Sequence, residues 1–240
     1  MAASGAMAAE SAWLDVEGRI QYGFYTEDAR ALTDLAEQLA LTEGQGEGQE
    51  EGQGDTEPLR NYYAGLANYR LTLLLAPRDK ARARDAAEQC VNRLDRALAA
   101  DTNFAQGFAL QAACLRSVAI LKPWKPLAGP KSSGQMQKAV KLAPKDPRVL
   151  LLEAMESGDS NKIDETSLIK LKQAAAAFEK EREGVDRTPG WGAAEAYTYL
   201  GRGYLERGDV LAARDALERA LLIAPDFAMA RRLLTKITSG

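Results

Sequence analysis

Side chains that could carry acid–base, nucleophilic or metal chemistry are few in this sequence. Histidine is absent, which removes the commonest general base and the commonest zinc ligand. The two cysteines lie inside segments with helical periodicity, where nothing in the sequence supplies a base to activate a thiol. The glycine-rich and nucleophile motifs of nucleotide-binding proteins and hydrolases are missing as well. We therefore predict that the protein is not an enzyme, and expect no catalytic residue, metal site or cofactor.

The cysteines, Cys90 and Cys114, lack CxxC spacing and allow two interpretations. We interpret them as two buried thiols that pack as small apolar side chains. The alternative is one disulfide between neighbouring helices, which requires an oxidising compartment.

Arginine and aromatic side chains remain, and their chemistry is recognition. The planar fork of an arginine pairs bidentately with a carboxylate. A tryptophan in a proline-rich loop, such as Trp124 between Pro123 and Pro126, either fastens the loop to the body or contacts a partner. The tyrosines Tyr62, Tyr63 and Tyr69 crowd one helix, and we expect one of them to line a groove.

Composition limits the kinds of partner and the fold. The net charge of −3 gives no reason to expect nucleic acid binding. No apolar run is long enough to cross a membrane, which takes about 18 residues or more. The chain is rich in Ala, Leu, Arg and Glu, which favours helices, and no stretch alternates as a strand does.

Helical periodicity divides the chain into eleven helices, which form five hairpins and one final capping helix. We expect a disordered terminus at 1–9 and a single domain at 10–240. Within that domain, 43–57 is an acidic Gly/Gln loop without the order of a calcium site, and 122–132 is a proline-rich loop. The prolines there predict that the sixth helix begins only near Ser133, and Thr26 is the expected cap of the second helix.

One stretch, 194–227, has a complete helix–turn–helix pattern. Small residues recur where two helices must approach closely, large apolar residues fill the space between them, and a proline stops the second helix. The residues of this pattern are Tyr197, Leu200, Gly201, Tyr204, Gly208, Ala213, Leu217, Ala220 and Pro225. The spacing resembles the tetratricopeptide repeat (TPR), whose period is about 34 residues. We therefore predict an all-α, TPR-like solenoid wound as a right-handed superhelix.

In stacked repeats of this kind the first helix of each hairpin lines the concave side. Counting positions along those helices, and adding the loop tryptophan, gives the predicted partner-binding residues Gln106, Arg116, Trp124, Arg148, Glu195, Thr198 and Arg202. The expected partner is an acidic or carboxylate-bearing protein segment. In the competing interpretation, carboxylates of the same chain neutralise the arginines, with Glu195, Glu206 and Glu153 as candidates.

Three segments in the second half resemble a family of bacterial TPR-containing proteins that are mostly exported and uncharacterised. They are PLAGPKSSGQMQKAVKLAPKDPRVLLLEA, AAAAFEKE and WGAAEAYTYLGRGYLERGD. The chain departs from that family at SGDSNKIDE, where relatives usually have an aromatic, Pro- and Gly-rich loop. The resemblance implies a helical scaffold, often periplasmic, without a known reaction. Ala6-Met7-Ala8 has the form of an export cleavage site, although a disordered terminus explains it equally well.

Together these patterns predict a scaffold that mediates protein–protein or peptide binding through its concave face. The alternative is a self-assembling structural subunit or assembly factor of a bacterial envelope complex, and homo-oligomers are then expected.

Overall fold

The computed structural model describes residues 2–41, 56–157, 162–182 and 190–238. Over these ranges the chain forms eleven helices and no strand. They are α1 (Ala2–Tyr25), α2 (Ala29–Leu41), α3 (Thr56–Leu75), α4 (Lys80–Ala100), α5 (Ala105–Leu121), α6 (Ala128–Leu142), α7 (Pro147–Ser157), α8 (Glu165–Arg182), α9 (Ala193–Leu205), α10 (Val210–Ile223) and α11 (Ala228–Thr238). The predicted all-α class is confirmed. The predicted loop at 43–57 falls largely outside the described residues. Residues 2–9 of the predicted disordered terminus belong to α1.

The helices belong to two compact units, Met1–Leu142 and Ala143–Gly240. Within each unit, helices that follow one another along the chain pack together, as α3, α4, α5 and α6 do in the first unit. In the second unit the same holds from α7 through α11. This neighbour-to-neighbour packing is consistent with an α-solenoid. That 10–240 is a single domain stays a prediction.

Aspartates cap the starts of the helices. The side chain of Asp79 accepts a hydrogen bond from the N–H of Arg82 at 3.1 Å, and Asp209 accepts one from Ala212 at the same distance. Asp28 caps α2 by accepting from Ala31 at 2.9 Å, so the prediction that Thr26 caps this helix is wrong. The Thr26 hydroxyl instead donates to the carbonyl of Tyr22, because α1 continues to Tyr25.

Helix α6 begins at Ala128, five residues before the predicted start at Ser133. Pro130 lies in its first turn, where a helix needs no N–H donor, so the proline does not break it. The loop before α6 is therefore shorter than the predicted 122–132. Ser132, which was expected in that loop, is buried and donates to the carbonyl of Ala112 on α5 at 2.9 Å.

The aromatic cluster of the first unit is entirely internal. Tyr62, Tyr63 and Tyr69 are 0%, 0% and 3% exposed, so the prediction that one of them lines a groove is wrong. The Tyr63 hydroxyl donates to the buried carboxylate of Glu17 at 2.9 Å, and Trp13 stacks on its ring. Helix α3 buries residues on every side because α1, α2, α4 and α5 all pack against it.

A disulfide joins Cys90 on α4 to Cys114 on α5, with 6.0 Å between their Cα atoms. Both residues are fully buried, as expected. Their interpretation as free thiols is wrong, because the two helices bring the side chains face to face.

Candidate functional site

Arg148, at the start of α7, is fully buried and paired within the second unit. Its two terminal nitrogens donate to both carboxylate oxygens of Glu181 on α8, each at 2.8 Å. Its guanidinium also lies 5.4 Å from the ring centre of Phe178. The prediction that Arg148 faces a groove is therefore wrong, because its side chain is fully buried and both of its terminal nitrogens are paired with α8. The partner is Glu181, since Glu153 pairs instead with Lys170 at 2.7 Å.

The predicted groove side of α9 is closed. Glu195 and Thr198 are both 0% exposed, and the Thr198 hydroxyl donates to the carbonyl of Ala194 one turn earlier at 2.7 Å. Helix α9 packs against α8 on one side and against α10 and α11 on the other, which leaves these positions inside. The expectation that they are exposed to a partner is wrong.

Arg202, at the other end of α9, is half-buried and pairs with Glu206 one turn later at 2.8 Å. The other oxygen of Glu206 accepts from the N–H of Ile163 at 2.7 Å. Burial alone raises the pKa of Glu206, but the hydrogen bonds from Ile163 and Arg202 outweigh it and hold that pKa below its ordinary value. Both predicted groove arginines of the second unit, Arg148 and Arg202, are therefore neutralised by carboxylates of the same chain.

The predicted residues of α5 lie in the first unit. Gln106 and Arg116 are both half-buried, and both make contacts within the chain. They present no isolated charge or amide to solvent.

Trp124 has a different environment, because its side chain is 62% exposed. It lies in the short loop 122–127 between α5 and α6, with the guanidinium of Arg84 from α4 5.2 Å from its ring centre. The Arg84 Nε donates to the carbonyl of Leu121 at 2.9 Å, so the same arginine holds the loop and one face of the indole. The rest of the indole faces solvent.

A second contact fastens this loop. Lys122 and Lys125 both pair with Glu88 on α4, at 2.6 Å and 2.5 Å. The hydrogen bonds from Lys122 and then Lys125 hold the pKa of the Glu88 carboxyl below its ordinary value. Polar groups thus pin the loop, and the tryptophan is left to present its ring outward. Of the two sequence interpretations of Trp124, this geometry favours partner contact.

A cavity of about 820 Å³ lies beside Trp124. Its apolar surface comes from α5 and the start of α6, with Leu127 68% exposed at the rim. The residues that line it are Asp85, Glu88, Gln89, Val91, Asn92, Leu115, Val118, Trp124, Lys125, Pro126, Leu127, Ala128 and Lys131. A concave apolar surface with an exposed indole and a few charges at its edge is suited to hold an apolar side chain of a partner. Sequence reasoning found Trp124 but missed the contribution of α4.

Within the described ranges, no group of three or more His, Cys, Asp or Glu side chains could hold a metal ion. None of the helices described is both long and apolar enough to cross a membrane.

No protein-family model and no curated protein matches this chain.

Proposed function

We propose that this chain is a non-enzymatic helical-repeat scaffold of the TPR type, which binds a protein or peptide segment. The exposed Trp124 beside its cavity is the observation that carries the binding role. An indole presented to solvent by a loop that other side chains have already fixed has little ordering entropy left to lose on binding. The contact surface of this proposal is the Trp124 cavity of the first unit, in place of the concave arginines.

The repeat pattern supports the TPR assignment. Gly201 on α9 lies where its neighbour in the hairpin, α10, approaches most closely: a Cβ there would meet Leu217 Cγ at 2.7 Å. Gly208 occupies the turn with a φ of 76°, which glycine adopts without strain. The close approach at Gly201 and the turn at Gly208 both support the proposal of a TPR-like hairpin. A right-handed superhelix is the arrangement that repeats of this type would build.

An exported location belongs to the same proposal. The Cys90–Cys114 disulfide is the kind of bond that persists in oxidising compartments such as the periplasm. Alkylation of free thiols in intact cells that make the native protein, followed by mass spectrometry, tests it. Unmodified, linked cysteines are expected, and quantitative alkylation of both would contradict an exported location.

Selection of random displayed peptides on the immobilised protein tests the binding role. We expect enriched peptides whose binding is lost with Trp124→Ala. Tyr22→Ala is the matched control, because Tyr22 is an equally exposed aromatic side chain, at 61%, on α1. If no peptide is enriched, or if both variants behave alike, the proposed site is wrong.

Self-assembly is the second candidate function, and the surface of α10 favours it. Leu211 and Leu222 are both 83% exposed, and their spacing of eleven residues, three helical turns, places them on one face. Sedimentation of the protein and of Leu211→Asp/Leu222→Asp decides between the candidates. A stable oligomer that the double substitution dissociates supports self-assembly, whereas a monomer throughout excludes it.

A further inference from the structure

A furrow runs between α4 and α6, with α5 as its floor. The Trp124 cavity is one end of it. The other end is a second cavity of about 560 Å³, formed by the last turns of α4, the first turns of α5 and the second half of α6. The residues that line this second cavity are Asp95, Leu98, Ala99, Thr102, Phe108, Gln111, Gln135, Lys138, Lys141 and Leu142. We call the two cavities together the α4–α6 furrow.

A chain of hydrogen bonds crosses the floor of the furrow. The side-chain amide of Gln111 on α5 donates to the carboxylate of Asp95 on α4 at 2.6 Å. The side-chain amide of Gln135 on α6 donates to Oε1 of Gln111, also at 2.6 Å. Gln111 is 1% exposed and lies at the centre of this bridge, which ties all three helices together. The walls of the furrow are therefore fixed relative to one another before any partner arrives.

The α6 wall is strongly basic. Residues 102–142 contain six cations and no acidic residue, in a chain whose net charge is −3. Lys131, Lys138 and Lys141 line the furrow, and no carboxylate of the described residues pairs with any of them. The Lys138 ammonium lies 5.3 Å from the ring centre of Phe108, which holds it over the second cavity.

The acidic groups of the opposite wall are largely engaged. Glu88 is shared by Lys122 and Lys125, and Asp95 accepts the hydrogen bond from Gln111. Asp85 lines the Trp124 end only. The lysines of α6 are therefore the charges most available to a bound segment, and their field favours an anion.

We propose that the α4–α6 furrow binds an extended acidic peptide segment, with one apolar side chain anchored in the Trp124 cavity and carboxylates placed along the α6 lysines. This inference rests on the proposed peptide-binding function. Seven residues of helix separate Lys131 from Lys138, about 10 Å of rise, which an extended chain covers in about three residues. Lys141 is about 4.5 Å further on, about one residue of extended chain. The expected segment thus has an anchor, then an acid, and two more acids about three and four residues later.

The test uses a fluorescein-labelled peptide of about twelve residues, built with a leucine–tryptophan anchor and glutamates at that spacing. Its binding to the full chain is measured by fluorescence anisotropy, at about 50 mM and about 200 mM salt. We expect binding that weakens with salt. The triple variant Lys131→Gln/Lys138→Gln/Lys141→Gln should weaken it about tenfold, the order expected for three exposed ion pairs.

The matched control removes the same charge elsewhere. Lys162→Gln/Lys180→Gln/Lys236→Gln replaces three exposed lysines of the second unit, and we expect it to bind like the unaltered protein. A peptide with glutamines in place of the glutamates should bind at least about tenfold more weakly. Circular dichroism of each variant verifies that the helices persist.

The outcomes separate the furrow from the proposed function. If displayed peptides are enriched but lack acids, or bind both triple variants equally, the furrow proposal is overturned and the scaffold function stands. If no peptide binds at all, both fail. Binding of a labelled oligothymidine of about twelve nucleotides that depends on the same lysines, without binding of the acidic peptide, overturns the proposal in favour of single-stranded nucleic acid.

Discussion

Enlarging Gly201 tests the closest approach of two helices in the TPR-like hairpin. A Cβ at Gly201 would lie 2.7 Å from Leu217 Cγ, 2.9 Å from Leu217 Cδ2 and 3.2 Å from the carbonyl oxygen of Ala213, whereas ordinary contacts are 3.4–4 Å. Relief requires movement, because Cγ is the branch point of a fully buried leucine and the oxygen belongs to the backbone of α10. Overpacking of this kind costs about 1–3 kcal/mol.

The net effect is smaller for alanine, because alanine is the better helix former by about 1 kcal/mol. We expect Gly201→Ala to lower the free energy of unfolding by about 1 kcal/mol. With a urea slope of about 2 kcal/mol/M, the midpoint should fall by roughly 0.5 M. Gly201→Leu should cost about 3 kcal/mol or more. Urea unfolding followed by circular dichroism measures both.

Gly134→Ala is the matched control, because Gly134 lies within α6 and a Cβ there would meet nothing within 4 Å. The same added methyl group should therefore raise the free energy of unfolding, by up to about 1 kcal/mol. Opposite signs for the two alanine variants support the close helix contact. If Gly201→Ala is as stabilising as Gly134→Ala, the contact of α9 with α10 is not as described.

Reduction of the Cys90–Cys114 disulfide should destabilise the chain by about 3.5 kcal/mol, the value expected for a sequence separation of 24, and urea unfolding with and without reductant measures it. Glu88 has a depressed pKa in the folded state, so its contribution to stability is present above the ordinary carboxyl pKa and is lost as the pH falls through the folded value. Glu88→Gln should therefore reduce the acid-induced loss of stability when unfolding is compared across that range. Glu181→Ala leaves the fully buried cation of Arg148 without its carboxylate and should cost about 3 kcal/mol in the same assay.

Two of these three predictions have a control variant. Glu218→Ala breaks an exposed pair with Arg214 and should change stability by less than about 1 kcal/mol. Asp34→Asn breaks an exposed pair of the first unit, with Arg30, and should change stability by less than about 1 kcal/mol. A reductant that leaves the midpoint in place would contradict the disulfide. Equal effects of Glu181→Ala and Glu218→Ala would contradict the burial of Arg148.

Local signals predicted most of the helices. The bounds of α4, Lys80–Ala100, follow from local signals, because its apolar residues recur with helical period and an aspartate precedes it. The error at α6 has a physical reason: a proline breaks a helix only where an N–H is required, and Pro130 lies in the first turn. Whether a proline-rich run stays a loop or begins a helix depends on the contacts made by the residues that follow it. Here Ser132 fastens the first turns of α6 to α5 through its hydrogen bond to the carbonyl of Ala112.

The candidate site was less predictable, because counting positions along one repeat does not show which other helices bury those positions. Counting positions in a generic repeat places Arg148 on the groove side. Its partner Glu181 lies 33 residues further along the chain, on α8, so the pair forms only when α8 packs against α7. Thr198 likewise satisfies its own hydroxyl within α9. The exposure of Trp124 also depends on tertiary contacts, because Arg84 and Glu88, which hold its loop, both belong to the earlier helix α4.

The net charge of the whole chain and the charge of a single segment lead to different expectations about a partner. The net charge of −3 describes a nearly neutral chain, yet every charged residue between 102 and 142 is basic. Because charge separations beyond about 10 Å are screened at ordinary salt, a bound segment senses the charges of one hairpin rather than the sum over the protein. In the proposed site, the charges nearest a bound acidic segment are therefore those of α6 and its loop. The absence of acidic residues from 102–142 can be read from the sequence alone. That the lysines of this run line a furrow follows only from the fold, in which α4, α5 and α6 together line both cavities.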